Sequence, residues 1–173
     1  DTAWKHRVRL WVHLSGMFTW NDPRSARHTN RFHSREAAED ALAHVITQHK
    51  DHPAVLGWLT YDEPGNRPDL FDAAATLTSY RLVKRLDPHR PCFFSHLNHL
   101  GDAAIYGPAT DIALIPFLER GGRYDHLFQE LWQAGLPLFV NAPCYGAAGG
   151  SMREPTPAEQ RLRTYKGIIL GAR

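Results

Sequence analysis

The feature that most constrains the fold is a pattern that recurs five times along the chain. A short apolar run is followed by a few polar residues and then, in most repeats, by a stretch with helical spacing. The apolar runs are 7–14, 55–61, 92–95, 111–118 and 137–142. Runs of this length between turn-forming residues are typical of buried strands. Strands that alternate with helices predict a parallel sheet, since parallel strands need long crossover connections.

Several predicted helices carry recognisable signals at their ends. Ser34 is a good N-cap, and Glu36 in the first turn suits the positive end of the helix dipole. Residues 156–159 (Thr-Pro-Ala-Glu) have the form of a capping box and predict a helix running to Gly171. Gly135 suits the left-handed residue after a helix over 124–134. In that helix the side chains predicted to face inward are Leu127, Phe128, Leu131 and Trp132. A further helix is predicted from about Asp69 to Leu86.

Five parallel strands fit either an open doubly wound sheet or part of an eight-stranded barrel. No Gly-rich phosphate loop follows any strand, because residues 147–150 (Ala-Ala-Gly-Gly) lack a following Lys-Ser/Thr and no GxGxxG occurs. This favours an α/β fold of the barrel kind, a partial (β/α)8 TIM barrel. The chain opens on Asp1 in mid-pattern and closes on Arg173 without a tail. We therefore expect a single partial barrel domain over 1–173, truncated at both ends.

Composition limits the classes of binding partner that the sequence favours. The net charge is +2 and the basic residues are scattered, so nothing favours nucleic acid or a membrane surface. No window approaches the roughly 18 consecutive apolar residues of a membrane span. The two cysteines, Cys92 and Cys144, fall at opposite ends of different predicted strands. We expect them about 15–20 Å apart, too far for a disulfide, and predict two free thiols.

Polar residues follow each predicted strand, at the edge where parallel α/β folds form their sites. Carboxylates and amides bind sugar hydroxyls, and aromatic rings cover the apolar faces of pyranoses, so this mixture suits a carbohydrate. The residues are Ser15, Trp20 and Asn21; Asp62 and Glu63; Ser95, His96, Asn98 and His99; Glu119 and Arg120; and Asn141 and Tyr145.

The adjacent carboxylates Asp62 and Glu63 are the strongest candidates for catalysis. Glycoside cleavage needs a proton donor and a second carboxylate, and Glu63 is the better donor candidate. Trp58 and Tyr61 are expected to form an apolar wall beside it. Because side chains alternate along a strand, the direction of Asp62 stays open. The alternative interpretation is a loop that caps the next helix.

Two other chemistries are weighed against this one. His96, His99 and Asp102 have residue types that suit zinc, but their spacing is not diagnostic, and polar loop residues or sugar contacts are favoured. Cys144 could be a nucleophile at a strand end. No paired histidine is evident nearby in sequence, so an unreactive thiol is favoured.

Three segments of the chain resemble TIM-barrel glycoside hydrolases of the β-galactosidase and cellulase-like superfamily. They are 52–64 (His-Pro-Ala-Val-Leu-Gly-Trp, three residues, Asp-Glu-Pro), 87–91 (Asp-Pro-His-Arg-Pro) and 155–172. The resemblance implies that the chain spans about strands three to seven of a barrel. It also implies that Glu63 is the acid/base residue ending strand four. Asp62 departs from the usual Asn before the acid. The usual nucleophile, a Glu ending strand seven, is replaced by Asn141 and its neighbours, and Glu119 could substitute for it.

The sequence thus leads to a carbohydrate-active barrel, a glycoside hydrolase with Glu63 as general acid/base and Asp62 as modulator or sugar ligand. The expected partner is an oligo- or polysaccharide, with neither cofactor nor metal, and the resemblance is compatible with a secreted or periplasmic location. The alternatives are a non-catalytic or catalytically silent carbohydrate-binding barrel, and a metal-dependent hydrolase using the His96/His99 loop. The remaining residues predicted to contact substrate are Trp20, Asn21, His96, Asn98, Glu119, Asn141 and Tyr145.

Overall fold

The strands and helices of this protein alternate along the chain. The computed structural model describes residues 2–14, 32, 34–66, 73–95, 99, 101–116, 123–141 and 154–171. The strands are β1 (Leu10–His13), β2 (Val55–Asp62), β3 (Cys92–Ser95), β4 (Ile112–Pro116) and β5 (Leu138–Asn141). The helices are α1 (Thr2–Lys5), α2 (Arg35–His49), α3 (Ala73–Leu86), α4 (Asp102–Tyr106), α5 (Arg123–Gln133) and α6 (Pro157–Ile169). Short 3₁₀ turns lie at Pro64–Asn66 and Gly107–Ala109.

The helix ends predicted at Ser34, Thr156 and Gly135 are confirmed. The Ser34 hydroxyl accepts the Ala37 N–H at 3.2 Å and begins α2. Thr156 and Glu159 cap each other at the start of α6, so both halves of the capping box are present. Gly135 follows α5 with a φ of +71°. The first strand begins at Leu10, three residues later than predicted, and Arg7 itself has a left-handed φ of +57° that a strand does not tolerate.

All strand pairs are parallel, and their order in the sheet is β1-β2-β3-β4-β5. The predicted parallel α/β class is therefore confirmed. A doubly wound sheet reverses its strand order at a switch point, and this sheet has no reversal among the described strands. Since crossovers between parallel strands are right-handed, successive connections in one direction place their helices on the same face.

The helix-covered face of the sheet holds the core. Around β1 and β2 the buried cluster is formed by Leu14, Val55, Trp58 and Cys92 with Leu42, Ile46 and Val83 of α2 and α3. Towards β5 it continues as Tyr61, Phe94, Ala113, Ile115 and Leu138 with residues of α4 and α5. In α5 this face takes Leu127, Phe128 and Leu131, as predicted.

Trp132 does not face inward as predicted, since it is 65% exposed. Leu131 already fills the inward position of that turn, and Trp132 is rotated past it to lie beside Gly171 after α6. In α6, Gly167 faces β5, where an added Cβ would lie 3.2 Å from Val140. The outer side of α6 is apolar, and Ile169 is 82% exposed. This side of the molecule therefore presents uncovered apolar surface.

The opposite face of the sheet is concave. The ring of Trp11 in β1 lies 4.2 Å from that of Phe93 in β3 and 6.1 Å from that of Phe139 in β5, measured between centroids. In a flat sheet β1 and β5 would be about 19 Å apart, at about 4.8 Å per strand. The sheet must therefore curl so that its two outer described strands approach each other. Gly57, the register partner of Trp11, leaves space for the indole ring.

Hydrogen bonds fix the edge of the sheet where the strands begin. The Trp58 indole N–H donates to Asp87 at 2.9 Å, and Asp87 also accepts the backbone N–H groups of His89 and Arg90 at 3.3 Å. The Arg90 guanidinium donates to the Val55 carbonyl at 3.0 Å. Segment 87–91 therefore serves as scaffold at the end of the sheet opposite to Asp62.

In the part of the chain that the structure describes, no helix combines the length and apolar character needed to cross a membrane.

Candidate functional site

A β-bulge at Thr60 decides which side chains of β2 face the concave side. Leu59 pairs with Phe93 and Tyr61 with Phe94, so Thr60 is an extra residue between two successive partners. Its hydroxyl donates to the Phe93 carbonyl at 3.3 Å. An extra residue reverses the alternation of every side chain that follows. Bulges of this kind re-aim side chains next to active sites.

Because of the bulge, Asp62 faces the concave side. It pairs with Ser95, which lies two residues beyond Phe93 and therefore on the same face as Phe93 and Trp11. Asp62 is exposed at the edge where the strands end, whereas Ser95 is buried. The direction of Asp62, left open by the sequence, is thus assigned by the register.

Trp58 and Tyr61, expected as an apolar wall beside Glu63, both point away from the concave face. Both rings lie on the helix-covered face, where Trp58 bonds to Asp87 and the Tyr61 hydroxyl shares a 2.7 Å hydrogen bond with Ser79 of α3. In a regular strand Trp58 and Tyr61 would point to opposite faces. The bulge at Thr60 brings them to the same one.

Glu63 leaves the strand in a left-handed conformation. Its φ is +49°, and its N–H donates to the Ser95 carbonyl at 2.9 Å. For a residue with a Cβ this conformation costs about 1–2 kcal/mol. Such conformations persist where the surroundings determine them, and they concentrate at functional sites. Glu63 is half-buried and follows Asp62 directly, so two carboxylates stand at this edge.

His13 is a concave-face residue that the sequence interpretation missed. It lies two residues beyond Trp11 and pairs with Leu59, so alternation places it on the face of Asp62 and Ser95. It is exposed at the end of β1. Alternation along the predicted strand 7–14 was the signal that could have found it, since the residues expected at this edge began with Ser15.

The structure argues against Asp102 as a metal ligand. This carboxylate is only 4% exposed and accepts the His99 N–H at 2.9 Å. It packs against Gly65, where an added Cβ would lie 2.5 Å from both of its oxygens. Asp102 therefore holds the loop after β2. Among the described residues, no group of three His, Cys, Asp or Glu side chains is arranged to hold a metal ion.

Most of the predicted substrate contacts lie outside the described residues. Asn141 ends β5 opposite Pro116, but its side chain is not part of the description. Outside the described residues are Trp20, Asn21, His96, Asn98, Glu119 and Tyr145. Of the two cysteines, Cys144 lies outside them too, and Cys92 is a free, fully buried thiol.

Burial, helped by the nearby Asp111 carboxylate, raises the pKa of the Cys92 thiol to about 12. Asp111 accepts the Cys92 N–H at 2.8 Å and the Tyr80 hydroxyl at 2.8 Å. Burial and this hydrogen bond raise the pKa of Tyr80 above its ordinary range. Both groups are kept protonated, so Cys92 is a structural residue rather than a nucleophile.

Comparison with known proteins leaves the family open. No protein-family model matches the chain, and no curated protein matches it.

Proposed function

We propose that this chain forms part of a carbohydrate-active (β/α)8 barrel that hydrolyses O-glycosidic bonds, with Glu63 as general acid/base. The observation that carries the proposal is the pair Asp62 and Glu63 at the edge where the strands of a curled parallel sheet end. Sites of barrel enzymes form at this edge. The type of reaction, hydrolysis of a glycosidic bond, is inferred from the resemblance of segments 52–64 and 87–91 to glycoside hydrolases.

Three features support a barrel over an open sheet. The strands follow one another in chain order, which brings the helices to one face. The sheet curls so that Trp11 reaches Phe139. Leu162, Tyr165 and Ile169 on α6 are exposed apolar residues, and a further strand and helix of a closed barrel would give them a partner surface.

In the proposed reaction Glu63 donates a proton to the glycosidic oxygen as the bond to the leaving sugar breaks. Asp62 accepts hydrogen bonds from sugar hydroxyls, since it faces the concave side. A second carboxylate acts as nucleophile or activates water, and Glu119 is our candidate. A separation of about 5–5.5 Å between the Glu63 and Glu119 carboxyl groups would indicate retention, and about 6.5–9.5 Å inversion.

Glu63→Gln tests the acid role in the complete protein. The amide keeps the size of the side chain but cannot donate a proton, so kcat/KM for aryl glycosides should fall by about 10²–10⁴-fold. Glu39→Gln is the matched control, because Glu39 forms an exposed ion pair with Arg35 on α2. It should leave turnover unchanged. Turnover by Glu63→Gln close to that of the wild type would refute the acid role.

A silent carbohydrate-binding barrel is the second candidate. It is favoured by Asn141, which ends β5 where the resemblance calls for a glutamate. A wild-type protein that binds oligosaccharides in calorimetry but hydrolyses no aryl glycoside would establish it. The metal-dependent alternative is less favoured, because the Asp102 carboxylate, one of its proposed ligands, accepts the His99 N–H. Activity that survives a chelator would count further against it.

A further inference from the structure

We propose that the short helix α4 is a positioning element that holds the turn of Glu63, with Tyr106, Asp102 and the distant Glu130 as positioning residues. The conformational part of this inference rests on contacts alone. Its catalytic consequence rests on the function proposed above. The turn concerned is 63–65, directly after β2.

The turn is held on its first side by backbone and by Tyr106. The Glu63 N–H donates to the Ser95 carbonyl at 2.9 Å. The Tyr106 hydroxyl donates to the Pro64 carbonyl at 3.4 Å, and Tyr106 is only 2% exposed. Its ring packs edge-on against Phe94, with centroids 6.2 Å apart. Tyr106 therefore joins the core of the sheet to the residue that follows Glu63.

The turn is held on its other side by Asp102. No side chain fits at Gly65, because an added Cβ would lie 2.5 Å from both Asp102 carboxylate oxygens. Asp102 is itself fixed, since it accepts the His99 N–H at 2.9 Å. Gly65 and Asp102 therefore form a close contact that tolerates little movement of the turn.

Helix α4 is anchored by α5. The Glu130 carboxylate accepts the Gly101 N–H at 3.0 Å and the Ala103 N–H at 3.1 Å, at the start of α4. A helix of five residues is not stable alone, because nucleation costs more than so few hydrogen bonds return. Glu130 thus supplies from another helix the acceptors that keep α4 formed, and with it Asp102 and Tyr106.

These contacts explain how Glu63 can keep a left-handed backbone. The conformation costs free energy, so without support the residue would relax to an ordinary region and move its carboxyl group. The connection runs from Glu130 through α4 to Pro64 and Gly65. A weaker connection should loosen the Glu63 turn before it loosens the sheet.

The test uses Tyr106→Phe, which removes one hydroxyl and keeps the packed ring, and Glu130→Gln, which weakens the anchor of α4. The control is Tyr165→Phe, since Tyr165 is 62% exposed on α6. Amide hydrogen exchange by NMR in the complete protein is the first measurement. Loss of one hydrogen bond should accelerate exchange of the Glu63 N–H by about 2–10-fold in both test variants. The Trp58 and Phe93 amides should exchange as in the wild type.

The second measurement is turnover of aryl glycosides, where kcat should fall by about the same factor and KM should stay constant. Exchange at Glu63 no faster than in Tyr165→Phe would overturn the proposal. Equal acceleration at Glu63, Trp58 and Phe93 would overturn it too, because that result indicates global destabilisation. If Glu63 exchange accelerates selectively but even the wild type hydrolyses no aryl glycoside, the positioning role stands and the glycosidase proposal fails.

Discussion

At the residue scale, one extra residue in β2 determines which side chains of this strand face the candidate site. The sequence predicted two carboxylates at the end of this strand, and the structure places them there. It could not predict their directions, because a bulge such as that at Thr60 has no local sequence signal and depends on the pairing with β3. The same pairing moved Trp58 and Tyr61 to the helix-covered face. Alternation along β1 would have been sufficient to find His13, which the sequence analysis did not name.

Cys92 gives a prediction about stability in alkali. Its pKa is raised from 9.0 to about 12 in the fold, so as the pH rises the unfolded chain loses the thiol proton first. The unfolded state then binds fewer protons, and the free energy of unfolding falls between about pH 9 and pH 12. In urea unfolding across this range, the free energy of unfolding of the wild type should fall relative to that of Cys92→Ala as the pH rises. A difference that is independent of pH would contradict the buried, protonated thiol.

At the scale of the element, local signals were enough for some helices and insufficient for others. The side chains of Ser34 and Thr156 each accept a hydrogen bond from the backbone N–H three residues later. This local signal marks a helix start, so α2 and α6 were predicted correctly. Helix α4 was missed, because its stability depends on Glu130, far along the chain. The short α1 offers too few residues for periodicity. The site residues in loops outside the described ranges stay predictions.

The capping box of α6 can be tested by Thr156→Ala. The hydroxyl accepts the Glu159 N–H at 3.3 Å, and its loss should lower the free energy of unfolding by about 1 kcal/mol. Thr164→Ala is the matched control, because that hydroxyl bonds back to the Gln160 carbonyl at 3.0 Å within the helix. Since Ala favours helix interiors, the control should be neutral or slightly stabilising in urea unfolding. Equal losses in both variants would exclude a capping role.

At the scale of the whole molecule, the sequence predicted the parallel α/β class correctly, since the alternation of strands and helices is a repeated pattern. The order of the strands and the curl of the sheet are not encoded in any one segment. They depend on contacts between distant residues, such as Trp11 with Phe139. The closed barrel stays a proposal that these two features support.

Gly57→Ala tests the curl. The new Cβ would overlap the Trp11 ring and the Pro91 carbonyl, so the indole must move away from Phe93. Overpacking of this kind should cost about 1–3 kcal/mol and change the near-ultraviolet circular dichroism of the aromatic residues. At the control position, Gly107→Ala, the nearest atom is 3.5 Å away and the backbone is helical. That variant should be as stable as the wild type or more so, and the idea fails if both variants behave alike.

The strand order also has a consequence for how the chain acquires its structure during synthesis. Each described strand after β1 pairs with the one made just before it, as Val55 does with Leu10 and Ile112 with Phe93. A growing chain that emerges N-terminus first can therefore add strands to one edge in the order of translation. Among the five described strands, none pairs with a strand that is made much later. The contacts that do wait are those across the concave face, where Trp11 meets Phe139 only after β5 has been made.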